Sequence, residues 1–549
     1  MADAAQLFLS VLVPVLAMLA AALFCALARP AAATAWRVFH GLSLIALSAA
    51  AIALAAILID PLALALPADL QPVLQAAPLT LVIAVLVQWL GTVIGAFSAR
   101  YLQGEANQTR YVAALAGVLA AVQVLLLANH WLVLIAAWAS VGMVLQQLLC
   151  FYPERPFARL AAHKKRLADR AADVLLVIAA ALAWWQTGSG ALSDLWAATD
   201  GNSLPLSLQG AAVALVLAVI LRTALMPVHG WLIQVMEAPT PVSAMLHAGV
   251  VNLGGGVLIR FAPLLEEVLV ARVLLLVFGL GTAVLAGMVM LTRISIKVRL
   301  AWSTVAQMGF MLFECGLGLY TLAALHLIGH SLYKAQAFLS ASGVVRQTRI
   351  AVMHGGTRYR PASLVLAPLA AIALVVAIVA IVGMVGMVDM AGLPAAPVWP
   401  LWWSLALGLA WAPLLWLPAA PTGARTVGLH LMSGVAMVAG LTALAVLTHA
   451  LPLGVHDAPH ALLGWIGLAG LAGLYCCMVA LQVWPGALPV WRRWSYSGFY
   501  LDESFTRLAL RLWPAHRALA RPGRGGAAAV RHDSHGLYEF PGKTRRTSA

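Results

Sequence analysis

Three observations predict an all-α polytopic membrane protein. Of 549 residues, 63% are hydrophobic and 9% are charged, whereas a soluble globular chain carries charges on roughly 25% of its residues. Apolar runs such as "AVALVLAVIL" and "LVVAIVAIVGMVGM" recur along the whole chain, near the ~20-residue length that crosses a ~30 Å hydrocarbon core. Basic residues cluster in alternate connections between these runs. Counted this way the chain has about fifteen transmembrane helices.

The elements follow in order. The first run, "LFLSVLVPVLAMLAAALFCALA", has no basic leader and no clear small-residue cleavage site, so it reads as a retained span rather than a signal peptide. Arg29 and Arg37 follow it, Arg100 and Arg110 follow the third span, and "ERPFARLAAHKKRLADR" follows the fifth. The intervening loops carry Asp60 and Asp69, then Asp194 and Asp200, without Lys or Arg. Later, Arg293, Lys297 and Arg299 follow the ninth span, Arg346, Arg349, Arg358 and Arg360 the eleventh, and Arg425 the thirteenth. The loop around Arg260, Glu266, Glu267 and Arg272 is mixed and carries no sign. Positive loops lie inside, so the amino terminus is expected outside and the carboxyl terminus in the cytoplasm, which requires an odd number of spans. A bacterial inner membrane is the expected location.

This asymmetry accounts for the net charge of +14 through contact with the bilayer, and no nucleic-acid partner is expected. Cys25, Cys150, Cys315, Cys476 and Cys477 lie in or beside apolar runs with no CxxC pair, so neither a disulfide framework nor a metal site is expected. From about residue 491 an aromatic and basic belt leads into an amphipathic cytoplasmic helix, with Leu508, Leu512 and Trp513 read as lying opposite Arg507 and Arg511. A Gly-rich basic tail follows. No soluble catalytic domain remains, and the chain by itself is not expected to be an enzyme.

Candidate functional residues are the ionisable groups within spans, since each charge at mid-bilayer costs about 2.5–3.5 kcal/mol on insertion scales. Asp173 opens the sixth span, Arg222 lies in the seventh, and Glu237 and His247 flank an "APTPVSA" break. Glu314 sits near the end of the tenth span. In the eleventh, "HLIGHSLYKAQAF" spaces His326, His330 and Lys334 by four, which stacks them on one helix face. Three titratable groups on one stripe can pass a proton between neighbours. An HxxxH metal site is the competing reading, but it lacks a third ligand and Lys334 would repel the metal. His229 reads equally as a structural histidine bonded across a helix interface. Pro227, Pro239 and Pro241 are expected to kink or unwind helices, which is tolerated at membrane depth only where protein or water satisfies the freed groups; for Glu237 a cytoplasmic turn is an equal reading.

"MPVHGWLIQVMEAPTPVSAMLHAGVV", "ISIKVRLAWSTVAQMGFM" and "LHLIGHSLYKAQAFLSASGVV" resemble, in that order, the antiporter-like proton-channel family of respiratory complex I and Mrp antiporters. "SARYLQGEANQTRYVAAL" and "SGFYLDESF" extend the resemblance over nearly the whole chain. It implies two inverted repeats of transmembrane helices with a broken helix in each. The organisation then reads as N-terminal helices (1–110), a first half-channel (111–262), a second (263–418), C-terminal helices (419–490) and the cytoplasmic helix and tail (491–549). By motif, His247 matches the histidine after the broken helix and Lys297 the lysine before the "AxST" helix. His326, His330 and Lys334 match the central relay, and Asp173 matches a carboxylate of the sixth span.

The departures carry information too. Where pumping subunits have glutamate in "WEG", this chain has Ala139 in "WAS", and Arg222 stands where their partner lysine is expected, nine residues before Trp231. Arginine effectively cannot release its proton. No lysine occurs between Lys334 and Lys543, so the second half lacks its expected one. With "VMEAP" and a stop soon after "FYLDE", the chain resembles the membrane subunit of DAB-type inorganic carbon accumulating complexes. That resemblance implies H+ or Na+ entry here that drives directional CO2 hydration by a large soluble, carbonic-anhydrase-like zinc subunit on the cytoplasmic face. Zinc is thus expected in the partner and no cofactor in this chain. Asp173, Arg222 and Glu237 are expected to couple charge, with Arg222 holding a carboxylate such as Asp173 as a fixed charge rather than titrating. The alternatives are a respiratory or Mrp-type antiporter subunit and a structural membrane anchor.

Overall fold

The structure, a computed structural model, describes residues 2–60, 67–199, 204–341, 359–387, 399–419, 423–449, 451–484, 486 and 489–514. Asp200, Arg346, Arg349, Arg358 and the basic tail from 515 lie outside them. Among the described residues the regular structure is helical apart from isolated β-bridges.

The chain opens with α1 (Ala2–Leu27), α2 (Ala32–Ile59), α3 (Pro78–Tyr101), α4 (Gln108–Leu127) and α5 (Trp131–Leu149). Next come α6 (Pro156–Thr187), the short α7 (Leu192–Thr199), α8 (Leu206–Arg222) and α9 (Gly230–Gln234). Then α10 (Thr240–Ala248), α11 (Leu253–Arg260), α12 (Ala262–Glu266), α13 (Leu269–Leu291), α14 (Ile296–Leu317) and α15 (Tyr320–Leu339) follow. The remainder is α16 (Pro361–Met387), α17 (Leu401–Trp411), α18 (Ala424–His449), α19 (Ala461–Val483), α20 (Pro489–Tyr496) and α21 (Leu501–Leu512). Ten stretches are long and apolar enough to cross a bilayer by length and composition: α1 to α5, the α10–α11 pair, α13, α16, α18 and α19. Apolar α8 and α17 are shorter. Multi-pass membrane architecture follows.

Large apolar side chains such as Leu429, Met432, Leu444 and Leu462 are exposed on α18 and α19, as expected where the solvent is lipid. With no water to expel, close approach and internal polar contacts hold such helices together. In the first helices Gln88 donates to Ser43 Oγ at 3.0 Å and Gln123 donates to the Ala84 carbonyl at 3.1 Å, tying α2, α3 and α4. Between α13 and α14 the backbones nearly touch: a Cβ on Gly309 would lie 2.7 Å from Gly279 O.

Two breaks shape the centre. The helix α8 stops at Arg222, and the buried stretch around Ala224, whose φ is +55°, leads into α9 and a 3-10 turn over Val235–Glu237. The following span breaks between α10 and α11, where Gly249 leaves helical geometry and a 3-10 turn covers Val250–Asn252. This corrects the expectation for two prolines. Pro239 is the N-cap of α10 and Pro241 sits in its first turn, positions where the missing N–H costs nothing. The span is interrupted after His247 instead, at Gly249. Pro227 does lie in the first break. Asp173 falls in the middle of α6 rather than at a helix start, because the basic stretch from Pro156 is already helical.

The C-terminal helix is also reoriented relative to expectation. The side of α21 toward the body carries Asp502, Thr506 and buried Ala509, while Leu508 and Leu512 are exposed alongside Arg507 and Arg511 rather than opposite them, and Trp513 lies beyond the helix end. Residues three apart share a helix face, so Leu508 and Arg511 are neighbours.

Candidate functional site

The helix α15 positions the first group of ionisable residues. Its start is fixed by Asp457, which accepts from the Thr321 N–H at 2.8 Å and pairs with His449 at 3.1 Å. The preceding α14 ends on Gly318 at φ +82°, where a Cβ would stand 2.0 Å from Ala458 O, so only glycine fits the turn. Arg272 donates to the carbonyls of Gly316, Leu317 and Ala458 at 3.1, 2.9 and 2.8 Å, satisfying the acceptors that a helix end leaves free.

Held in this way, α15 presents His326, His330 and Lys334 along one side. His326 Nδ1 is 2.7 Å from Glu314 Oε2 of α14, and the His326 and His330 ring centroids are 6.0 Å apart. Lys334 is fully buried, and its Nζ donates to Ser303 Oγ at 2.8 Å and to the Leu300 carbonyl at 3.1 Å. Among the described residues no carboxylate lies within 4 Å of it.

From α10, His247 lies fully buried with its ring stacked on Phe338 of α15 at 4.6 Å, within electrostatic reach of Lys334. The ring nitrogens of His247 and His330 have no hydrogen-bond partner among the described residues. At the second break, Asn252 donates to Ser331 Oγ at 2.7 Å, linking the interrupted span to the helix of the histidines. Lys297, in the first turn of α14, donates to Thr240 Oγ1 at 2.9 Å, and Thr240 in turn to Tyr101 at 3.3 Å. It thus lies at the start of α10, while His247 lies at its end.

A second group lies on α6. Arg222 is ion-paired with Asp173, donates to the Trp138 carbonyl at 2.9 Å, and stacks over the Trp138 ring at 4.8 Å. Toward the start of the helix, Lys165 pairs with Asp169, and Lys164 Nζ meets Asp502 of α21 at 2.7 Å and Thr506 at 3.1 Å. Gln234 also donates to Asp502 at 3.4 Å, and the carboxylate fills the space a Cβ on Gly230 would occupy.

The structure therefore brings together Glu314, His326, His330, Lys334 and His247, and separately Asp173 with Arg222. It leaves Glu237 apart from both, half-exposed, with Arg155 bonded to its carbonyl at 2.7 Å and 3.8 Å from its carboxylate. His229 is fully buried against Trp302, ring centroids 4.9 Å apart. Among the described residues no three His, Cys, Asp or Glu side chains gather as a metal site. Sequence reasoning missed Lys164, Lys165, Asp169 and Asp502. The i, i+4 spacing of Lys165 and Asp169 was a usable signal, obscured by reading the whole basic run as a solvated loop.

The family comparisons place this bundle with broken helices in the antiporter-like, cation-translocating class of membrane subunits. Residues 128–399 match the transmembrane family described as NADH:quinone oxidoreductase/Mrp antiporter. The Mrp complex from Dietzia sp. shares the fold, with TM-score 0.56 and 22% identity over 96% of this chain and 64% of that one. The chain is 31% identical over 278 residues to NADH-ubiquinone oxidoreductase chain 5 of Metridium senile, covering 50% of this chain and 45% of the relative. It is 35% identical over 439 residues, 79% of this chain and 82% of the relative, to the probable inorganic carbon transporter subunit DabB of Hydrogenovibrio crunogenus. To DabB2 of Halothiobacillus neapolitanus it is 44% identical over 293 residues, 53% of each chain. Within the antiporter-like class, the chain belongs to the DabB family.

Proposed function

We propose that this chain is the ion-conducting membrane subunit of an inorganic carbon accumulating complex, in which entry of H+ or Na+ drives directional CO2 hydration by a soluble partner. The observation that carries the conducting role is the buried row Glu314, His326, His330 and Lys334, approached by His247. Imidazoles and a desolvated lysine can each accept and release a proton near neutrality. Lys297 extends the row at the start of α10. The relatives named as inorganic carbon transporter subunits support the cargo. The hydration chemistry, and the zinc for it, belong in this reading to a carbonic-anhydrase-like subunit on the cytoplasmic face.

In the same reading fifteen spans cross a bacterial inner membrane, with α6, α8, α14, α15 and α17 joining the ten apolar stretches. The amino terminus is outside and α21 faces the cytoplasm, an orientation that loop charge supports. Arg222 serves as a fixed charge on Asp173. This observation favours downhill conduction over redox-driven pumping, because an arginine pair cannot be switched by losing a proton.

Co-expression with the soluble subunit in a cell that lacks carbonic anhydrase tests the reading. Growth in air is expected with the wild-type chain and is lost with Lys334→Ala, while the two subunits still co-purify. Unchanged rescue by Lys334→Ala contradicts the relay, and favours a membrane anchor whose polar groups are structural.

A further inference from the structure

Arg222 on α8 keeps its proton and Ala139 on α5 has none to exchange. The helix α6 places a lysine and a carboxylate beside Ala139. Lys165 and Asp169 are ion-paired one turn apart, with side chains 7% and 14% exposed. A cavity of about 50 Å³ opens beside them, lined by Ala139, Gly142, Gln146, Lys165, Asp169 and Asp173 among others. A water needs roughly 10–15 Å³ of such space, so the cavity admits a few. Gly142 leaves room for the Asp169 carboxylate as placed, since a Cβ there would stand 2.7 Å from Asp169 Oδ2 and the carboxylate would have to shift.

The surroundings of Lys165 are charged but uneven. Asp173 and Arg222, which pair with each other one turn deeper, both reach it electrostatically. From α9 the Trp231 ring faces its ammonium at 5.2 Å. Lys164 beside it is engaged with Asp502 of α21, Arg166 donates to Gln146, and Arg170 lies 3.8 Å from Asp173. Of these cations, the arginines keep their protons and Lys164 is held by the C-terminal helix. Lys165 alone combines burial, an acidic partner on its own helix and space for water.

We infer that Lys165 and Asp169 are the exchangeable ion pair of the first half, a role that rests on the conducting function proposed above. As an amine, Lys165 accepts a proton at Nζ from a hydronium in the cavity, leaving water, and becomes an ammonium paired with Asp169. Passing that proton on to the next water regenerates hydronium there and restores the amine, so one proton has moved and nothing else is gained or lost. The Arg222–Asp173 pair stays charged throughout and supplies a constant field.

The purified complex in proteoliposomes, with proton flux read by an internal pH dye, tests this with Lys165→Arg and Lys165→His. Lys165→Arg keeps the ion pair but cannot exchange, so flux is expected to fall about 100-fold. Lys165→His can exchange, with an ordinary pKa of about 6.5 in place of about 10.4, so its flux is expected to persist with a half-maximum moved toward acid. Wild-type flux in Lys165→Arg, or a wild-type pH profile in Lys165→His, overturns the assignment; if the arginine variant fails to assemble, the histidine profile decides. Lys334→Ala run alongside separates the two claims. A wild-type complex that conducts no better than Lys334→Ala removes the conducting role and this pair with it, whereas a conducting wild type with unaffected Lys165 variants removes the pair alone.

Discussion

Glu314 and His326 meet at 2.7 Å across the turn between α14 and α15, with side chains only 5% and 14% exposed. Glu314 had no counterpart in the resemblance that singled out the histidines, yet it is the described carboxylate that pairs with the row. It gives the first imidazole a carboxyl partner at hydrogen-bond distance, whereas Lys334 at the other end has only neutral acceptors. The row is therefore polarised along α15.

Removing that polarity is expected to slow transfer rather than unfold the chain. Glu314→Gln keeps the shape and a hydrogen bond to His326 but loses the ionisable carboxyl. Proton flux through the reconstituted complex is expected to fall about 100-fold, with assembly unchanged in size-exclusion chromatography. Wild-type flux would show that Glu314 only pins the turn.

Ser303 holds Lys334 through one hydrogen bond at 2.8 Å. A hydrogen bond contributes about 0.5–1.5 kcal/mol net, so Ser303→Ala is expected to lower thermal stability modestly in detergent. The Leu300 carbonyl still holds the amine, so reduced conduction, not its loss, is the expected transport result.

The C-terminal helix is latched by Asp502 onto Lys164, whose side chain is 0% exposed. Breaking a buried pair leaves an uncompensated charge worth about 3–5 kcal/mol, tempered here because Asp502 is 28% exposed. Asp502→Ala and Gly230→Leu are each expected to release α21, read as faster trypsin cleavage at Arg507 and Arg511. Unchanged cleavage in both would show that α21 is held by other contacts.

The contact of α13 with α14 depends on Gly279 and Gly309, where an added Cβ would lie 2.7 Å from backbone nitrogen atoms. Gly309→Val is expected to abolish assembly of the complex, since backbone cannot yield as a flexible side chain can. Co-purification of the soluble subunit from membranes checks this.

The membrane class and the stripe on α15 were legible because both depend on local periodicity: apolar runs set spans, and a spacing of four sets a helix face. A carboxylate partner for Arg222 was expected, with Asp173 as a candidate, and the fold is what brings the two together. Other features depend on tertiary contact and were not legible. Lys164 looks like a solvated cation until Asp502, 338 residues away, is folded onto it. Prolines 239 and 241 looked like the site of the break because their effect depends on whether they fall inside a helix or at its first turn, which local pattern does not decide. Gly249, which does break the span, has no neighbouring proline to announce it.

The central claim is that the buried row on α15 carries the ion. The most direct measurement is proton flux into proteoliposomes holding the wild-type complex or a His330→Ala, Lys334→Met double variant, under an imposed inward-negative potential. The account predicts lumenal acidification with the wild type and only the leak of protein-free vesicles with the intact, correctly assembled double variant. Equal acidification by both would contradict it.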